Sequence, residues 1–403
     1  MKILLATYWY LPHVGGVHSY LQLLKQRLEA RGHQVDILGH HPDNNHVYLL
    51  TGNRMIEKAP ILYPLHDMLM DYFNEEHPEL DDWTRYRYIE RQVYEMASAL
   101  IGINQYDIIH TQDVISTRAF ARIAPATAAR VATIHGLLFD EFMTTGEIDR
   151  HESLRWKYCF VEEYLGASSA HTTIVPTEWL RREYVNRFFV PEEQFAVIPY
   201  GLDIERIAQQ TDALERSPRP DGKLVIICPG RLQPYKGQKY LIEALAKLAK
   251  VRDDFICQFA GEGVERAGLE LMAQHLNLQD HIQFLGNRDD IYALLRAADL
   301  FVLPSLVENH SIAIMEAQII GLPVISTNTG GNGELVSHLQ TGVLVEPRNS
   351  DDLFQAMLML MNDEKLRNKL SANGKRWGRK YWHPDHMIDR TLEIYERVIE
   401  KNK

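Results

Sequence analysis

Between residues 300 and 326 the chain reads as an apolar run, a polar loop, a helix-forming run and a second apolar run. Leu300 to Leu303 is apolar throughout, as a strand covered on both faces must be. Gly321 and Pro323 close the helix, and Val324 to Ser326 supplies the next strand. Strand, helix, strand is a parallel βαβ unit, and its ligand-facing loop lies at the carboxyl end of the first strand. Glu308 stands in that loop and Glu316 follows eight positions later. Eight helical steps bring the two within roughly 80° of a common azimuth. The backbone N–H groups of Asn309, His310, Ser311, Ile312 and Ala313 are the donors of a helix start, where an anion is welcome. Carboxylates accept hydroxyl hydrogen bonds and amides cradle an anion, which suits a polyhydroxylated ligand carrying phosphate. A capped helix with two solvated glutamates satisfies the same spacing.

The alternation recurs along the chain. Residues 2–8 form an apolar strand, and Val17, Tyr20, Leu21, Leu24 and Leu28 follow at helical spacing until Gly32. Gly15 and Gly16 lie at the strand-to-helix turn, where they let backbone approach a ligand; a tight turn is the simpler reading. A dinucleotide fingerprint fails, because the third spaced glycine is missing and Asp36 comes too early. Residues 107–113 and 131–137 read as strands ending in His110 and His135, at the edge where doubly wound sheets bind ligands. We read His110 as structural, and for His135 a structural role stays open. Residues 223–228 form a strand leading into Gly230, Arg231, Lys236 and Gly237, and a helix starts at Gln238. Two cations flanking a glycine-containing loop suit a diphosphate: arginine offers a fork, lysine a point charge. Gly330 and Gly331 serve either the same crevice or loop packing. One helix is expected over 351–373, and an amphipathic tail over 382–398. The segment 43–105 promises helices at 63–76 and 83–100. The second carries Arg85, Arg87 and Arg91 among Tyr86, Tyr88 and Tyr94. Such a helix could hold an anionic acceptor or touch a membrane, but a solvated face with snorkelling arginines is the plainer expectation.

At 403 residues the chain can bury two domain cores, and its formal charge of −11 argues against nucleic acid as a partner. Cys159, Cys228 and Cys257 have no paired spacing, as in a reducing compartment. No run approaches the roughly 20 apolar residues of a membrane span, and the first strand leads into a turn, not a cleavage site. A cytoplasmic protein is expected, with room for peripheral contact at the inner membrane face.

The stretch 304–327, with Glu308 and Glu316, resembles the signature of retaining nucleotide-sugar glycosyltransferases of family 4. The loop with Arg231 and Lys236 and the His135 strand are similar to further motifs of that family. The resemblance implies the GT-B fold: two Rossmann-like doubly wound parallel-sheet domains facing across a cleft. It places an acceptor-side domain at 1–205, completed by 382–403, a linker at 206–222, and a donor-side domain at 223–381. It implies transfer of a sugar from a nucleotide diphosphate sugar, a UDP-sugar first, to a hydroxyl acceptor: a small molecule, a glycan or a lipid-linked sugar. Retention, and no metal or other cofactor, come with it. His135 and Glu308 would be the catalytic residues, meeting the transferred sugar. Glu316 would hold the ribose, and Gly15, Gly16, Arg231, Lys236, Asn309, His310, Ser311 and Ile312 would bind substrate. Three departures stand out: Asn309-His310-Ser311 replaces Gly-Phe-Gly, Tyr200 an asparagine, and Gln112 a histidine. They keep open a catalytically silent sugar-nucleotide-binding or scaffold protein of the same fold. A phosphorylase or an epimerase is the alternative among enzymes.

Overall fold

A computed structural model of the chain describes residues 1–12, 15–50, 54–148, 152–212 and 222–402. Its contacts group into two compact units, Met1–Tyr200 with Asp385–Lys403, and Gly201–Pro384.

The first unit runs β1 (Lys2–Tyr10), α1 (Gly16–Ala30), β2 (Gln34–His40), β3 (His46–Leu49), β4 (Met55–Glu57), α2 (Ala59–Glu76), α3 (Asp82–Leu100), β5 (Ile108–Thr111), α4 (Val114–Ile123), β6 (Ala129–Thr133), α5 (Leu138–Thr145), α6 (Leu154–Ser168), β7 (Thr172–Val175), α7 (Glu178–Phe188) and β8 (Phe195–Val197). The second runs α8 (Ile204–Asp212), β9 (Leu224–Pro229), α9 (Gln238–Leu248), β10 (Phe255–Ala260), α10 (Arg266–His275), β11 (Ile282–Gly286), α11 (Ile291–Ala297), β12 (Leu300–Leu303), α12 (Ile312–Ile320), β13 (Val324–Thr327), α13 (Asn332–Leu335), β14 (Gly342–Val345), α14 (Ser350–Asn362) and α15 (Glu364–Tyr381). From Asp385 onward, α16 (Pro384–Asn402) belongs to the first unit again.

Apolar runs become strands because helices cover both faces of each sheet. In β1, Ile3 to Ala6 are fully buried, and α1 buries Tyr20, Leu21, Leu24 and Leu28, the positions its periodicity marks. Side-chain caps fix several helix starts: Asp81, Asp113, Ser153 and Thr177 each accept from the N–H three residues on. In the second unit β9, β10 and β12 bury Ile226, Cys228, Phe255, Cys257, Phe259, Leu300 and Val302 against the apolar stripes of α9 and α14. Asp299, buried at the head of β12, accepts from Val225 N at 2.9 Å and so locks two central strands together.

Strand order in the first unit is β4-β3-β2-β1-β5-β6-β7-β8, and in the second β11-β10-β9-β12-β13-β14. The direction of winding reverses between β1 and β5 in one sheet and between β9 and β12 in the other. Those are the points where the loops at the carboxyl ends diverge and leave a crevice.

Four expectations change. Inside 43–105, β3 pairs antiparallel with β2, and β4 pairs antiparallel with β3 to form the sheet edge. They are too short, at four and three residues, for a period of two to register. The expected linker begins with α8, a helix of the second unit, while 213–221 lie outside the described residues. The helix expected over 351–373 is two helices, because Asp363 leaves helical geometry and caps α15 by accepting from Leu366 N at 2.9 Å. Finally, α3 presents no solvated arginine face. Arg85 donates to Asn74, and Arg87 reaches Glu147 at 3.0 Å over the Phe142 ring. Arg91 is 2% exposed, 3.6 Å from Glu95 and 3.9 Å from Glu162. A buried guanidinium is kept by carboxylates, and Glu162 comes from α6, far along the chain. Among the described residues no helix is long and apolar enough to cross a membrane.

Candidate active site

In the second unit the site is built from the loops that leave β9 and β12 at the reversal point. They touch through backbone: Leu306 N donates to Tyr235 O at 2.7 Å. Gly237, in the left-handed region with φ 68°, stands so close that an added Cβ would lie 2.2 Å from Pro304 O. The loop after β13 closes on the other side. At Gly330, φ 56°, a Cβ would fall 1.6 Å from Glu308 O, and Thr329 Oγ1 donates to Leu306 O at 2.8 Å. Glycine at 237 and 330 therefore clamps the loop that carries Glu308 from both sides.

Within this clamp Lys236 Nζ lies 2.5 Å from Glu308 Oε1, and Ser305 Oγ donates to the same oxygen at 3.0 Å. Lys236 and the exposed Arg231 both lie near the ring of Tyr235, at 5.5 and 5.9 Å from its centroid. So the structure pairs Lys236 with Glu308 and places Arg231 in the same loop, near Tyr235. Glu316 is engaged elsewhere, accepting from Tyr292 OH of α11 at 3.0 Å. Burial pushes its carboxyl up to about 7, with the tyrosine hydrogen bond working in the other direction. Glu308 and Glu316 do not share a helical azimuth as expected, because α12 begins at Ile312 and Glu308 lies ahead of the helix.

Asn309, His310 and Ser311 are all buried, while Ile312 is half-buried at the helix start. Ser311 is the N-cap residue of α12, with no side-chain hydrogen bond to the first turn. Burial lowers the His310 imidazole to about 3, and the neutral ring stands edge-on to Trp382 at 5.3 Å. Trp382 in turn donates to Gln318 Oε1 of α12 at 2.8 Å. An aromatic ring at 310 is thus seated in an aromatic contact.

In the first unit, Gly15 and Gly16 occupy the turn from β1 into α1, and both are exposed. His13 and Val14 of that turn lie outside the described residues. His110 is fully buried, its Nδ1 2.6 Å from Tyr395 OH and its Nε2 2.7 Å from Thr133 Oγ1, the structural role read from the sequence. His135 is held by two of the residues that depart from the family pattern. Tyr200 OH lies 2.5 Å from its Nδ1, and Gln112 Oε1 3.2 Å from its Nε2. Gln112 Nε2 donates to His110 O at 3.3 Å, which turns its amide oxygen toward His135. The proton of His135 is therefore on Nε2, and Nδ1 accepts from Tyr200. Loss of hydration lowers the imidazole to about 3, so the ring is neutral.

Two family models match the chain: Glycosyltransferase Family 4 over residues 14–206, and Glycosyl transferases group 1 over residues 209–377. A UDP-Gal:alpha-D-GlcNAc-diphosphoundecaprenol alpha-1,3-galactosyltransferase of Escherichia coli is 31% identical, across 75% of this chain and 78% of that protein. The chain belongs to glycosyltransferase family 4. An uncharacterized glycosyltransferase of Methanocaldococcus jannaschii is 26% identical, across 99% of both chains. Among solved structures, sucrose-phosphate synthase from Thermosynechococcus elongatus aligns with a TM-score of 0.75 at 19% identity, across 99% of both chains. Anabaena HepE in complex with UDP-glucose aligns with a TM-score of 0.69 at 19% identity, across 98% of this chain and all of that one. These likenesses give this family member the GT-B fold.

Sequence reading overlooked four residues of this glycosyltransferase's site: Ser305, Tyr292, and the holding roles of Gln112 and Tyr200. For Gln112 and Tyr200 a signal existed, since both break family motifs. That they break them around a single histidine shows only in three dimensions.

Proposed function

We propose that this glycosyltransferase moves a sugar from a UDP-sugar to a hydroxyl acceptor, with retention at the anomeric carbon and without a metal ion. One observation carries the reading: Lys236 pairs with Glu308 at the reversal point of the second sheet, ahead of the start of α12, with Arg231 on the same β9 loop near the Tyr235 ring. Cleavage of the sugar–phosphate bond develops negative charge on the diphosphate, and charge stabilisation at that oxygen lowers the barrier. Arg231, Lys236 and the first-turn N–H groups of α12 supply it from the chain itself. Glu308 and Glu316 act as hydrogen-bond acceptors, the first for the transferred sugar and the second for the ribose. Lys236 and Ser305 both hold Glu308 through Oε1, which fixes the carboxylate and suits it to orient the sugar. Transfer then proceeds on one face, with the leaving phosphate taking the acceptor's proton. For His135 the sugar contact rests on the family resemblance alone, since within the first unit its two ring nitrogens engage Tyr200 and Gln112. The UDP preference draws on the UDP-Gal named for the Escherichia coli relative and the UDP-glucose in the HepE complex.

The test is a panel of UDP- and GDP-sugars offered to the purified chain in excess chelator, with the melting temperature and release of nucleoside diphosphate as readouts. A UDP-sugar should raise the melting temperature by about 3 °C or more at saturation, and be cleaved with the chelator present. A proton spectrum of the transferred sugar should show the donor's anomeric configuration. Binding without cleavage would leave a silent sugar-nucleotide binder, and no response to any donor would overturn the assignment.

A further inference from the structure

The turn joining β2 to β3, residues 41–46, brings two imidazoles and a carboxylate onto one point. Its backbone is closed by His41 N donating to His46 O at 2.9 Å and Asn44 N to His41 O at 3.0 Å. Asn44 takes the left-handed conformation the turn requires, φ 62°, and Tyr10 OH donates to its Oδ1 at 3.0 Å. Asp43 Oδ1 accepts from Asn45 N at 2.8 Å, which fixes the carboxylate plane and leaves Oδ2 facing the histidines. His46 Nδ1 lies 2.6 Å from Oδ2 and His41 Nδ1 3.1 Å from it. The His41 ring is braced edge-on against Tyr48 at 5.0 Å. All three side chains are about one-third exposed, so the cluster is braced by protein on one side and open on the other.

His41 Nδ1 is in conflict. It lies 3.3 Å from the Asp43 backbone N–H, which calls for a lone pair, and 3.1 Å from Asp43 Oδ2, which calls for a proton. A cation among the three atoms takes over the Nδ1 lone pair from the long contact to Asp43 N–H, and sets Nδ1 and Oδ2 as neighbouring ligands with no proton needed between them. The three ligand atoms lie within 4.8 Å of one another, and small side-chain rotations would bring them to the roughly 2.0–2.2 Å bonds of a zinc-class ion. Two imidazole nitrogens and one carboxylate oxygen suit zinc, copper or nickel, whereas magnesium and calcium ask for oxygen alone. We infer that His41, Asp43 and His46 bind a divalent transition-metal ion of the zinc class, with the remaining coordination position taken by water. The site pins the β2–β3 turn and is independent of the sugar-transfer reading.

The whole chain, stripped of metal, is titrated with Zn²⁺ by calorimetry and with Co²⁺ by visible absorption. The expected result is one saturable site per chain with a dissociation constant below about 10 μM and a four-coordinate Co²⁺ spectrum. Asp43→Asn keeps the acceptor for Asn45 N, and with His46→Ala it should weaken binding at least about 30-fold. The metal-free melting temperatures of these variants should stay near that of the unaltered chain. His66→Ala, on the exposed face of α2, serves as the control among the 18 histidines and should leave binding unchanged. The absence of saturable binding, or binding that survives the double variant Asp43→Asn/His46→Ala, overturns the inference.

Discussion

Glu316 is the residue whose protonation the fold controls most usefully. Its carboxyl is raised by burial to about 7, above its unfolded value near 4.3, so the native state holds its proton longer than the unfolded chain does. The stability this contributes is complete below about pH 4.3 and is lost as pH rises through about 7. Wild type should therefore lose up to about 3 kcal/mol relative to Glu316→Gln between pH 4.5 and 8, read from urea denaturation at each pH. Affinity for a UDP-sugar should move the other way, rising up to about pH 7 and then levelling, because the ionised carboxylate is the better acceptor for ribose hydroxyls. That rise should vanish in Glu316→Gln. Lys236→Ala and Glu316→Ala should each reduce turnover at least about 100-fold, and wild-type-like rates in both would defeat their assigned roles. Cation and glutamate types in the loops after β9 and β12 marked Lys236 and Glu308 as candidates, and the family signature marked Glu316. Half-buried Tyr292 and fully buried Ser305 were not marked, since a single hydroxyl has no periodic signature.

At the scale of elements, two glycines hold the Glu308 loop by close approach. Gly330→Ala would force a Cβ to within 1.6 Å of a carbonyl oxygen, and Gly237→Ala to within 2.2 Å, each at positive φ. Each should abolish detectable UDP-sugar binding in a thermal-shift titration. Gly32→Ala, at φ 85° with open space around it, carries only the backbone penalty, about 1 kcal/mol, and should leave donor binding intact. The long parallel strands and α1 were legible because apolar runs and helical periodicity persist over many residues. β3 and β4 were not, because each has three or four residues and depends on partners elsewhere, and the break at Asp363 rests on one capping side chain inside an otherwise helical run. The arginines of α3 misled for a related reason. Charge type alone does not reveal a carboxylate that arrives from α6 to cover it.

For the molecule as a whole, sequence reading captured two parallel-sheet bodies and the family they belong to. Contacts divide the chain at Tyr200 and again at Pro384. The first body is thus written in two pieces, with the entire second body spelled out between them. Its last piece is not trim: Tyr395 meets the buried His110, Asp389 pairs with Arg31 at 2.7 Å, and Ile388 and Val398 are buried. During synthesis the amino-terminal sheet must wait, with His110 uncapped, while the ribosome completes everything up to α16, although the carboxy-terminal sheet already has all its strands. The portion translated first is thus the portion finished last.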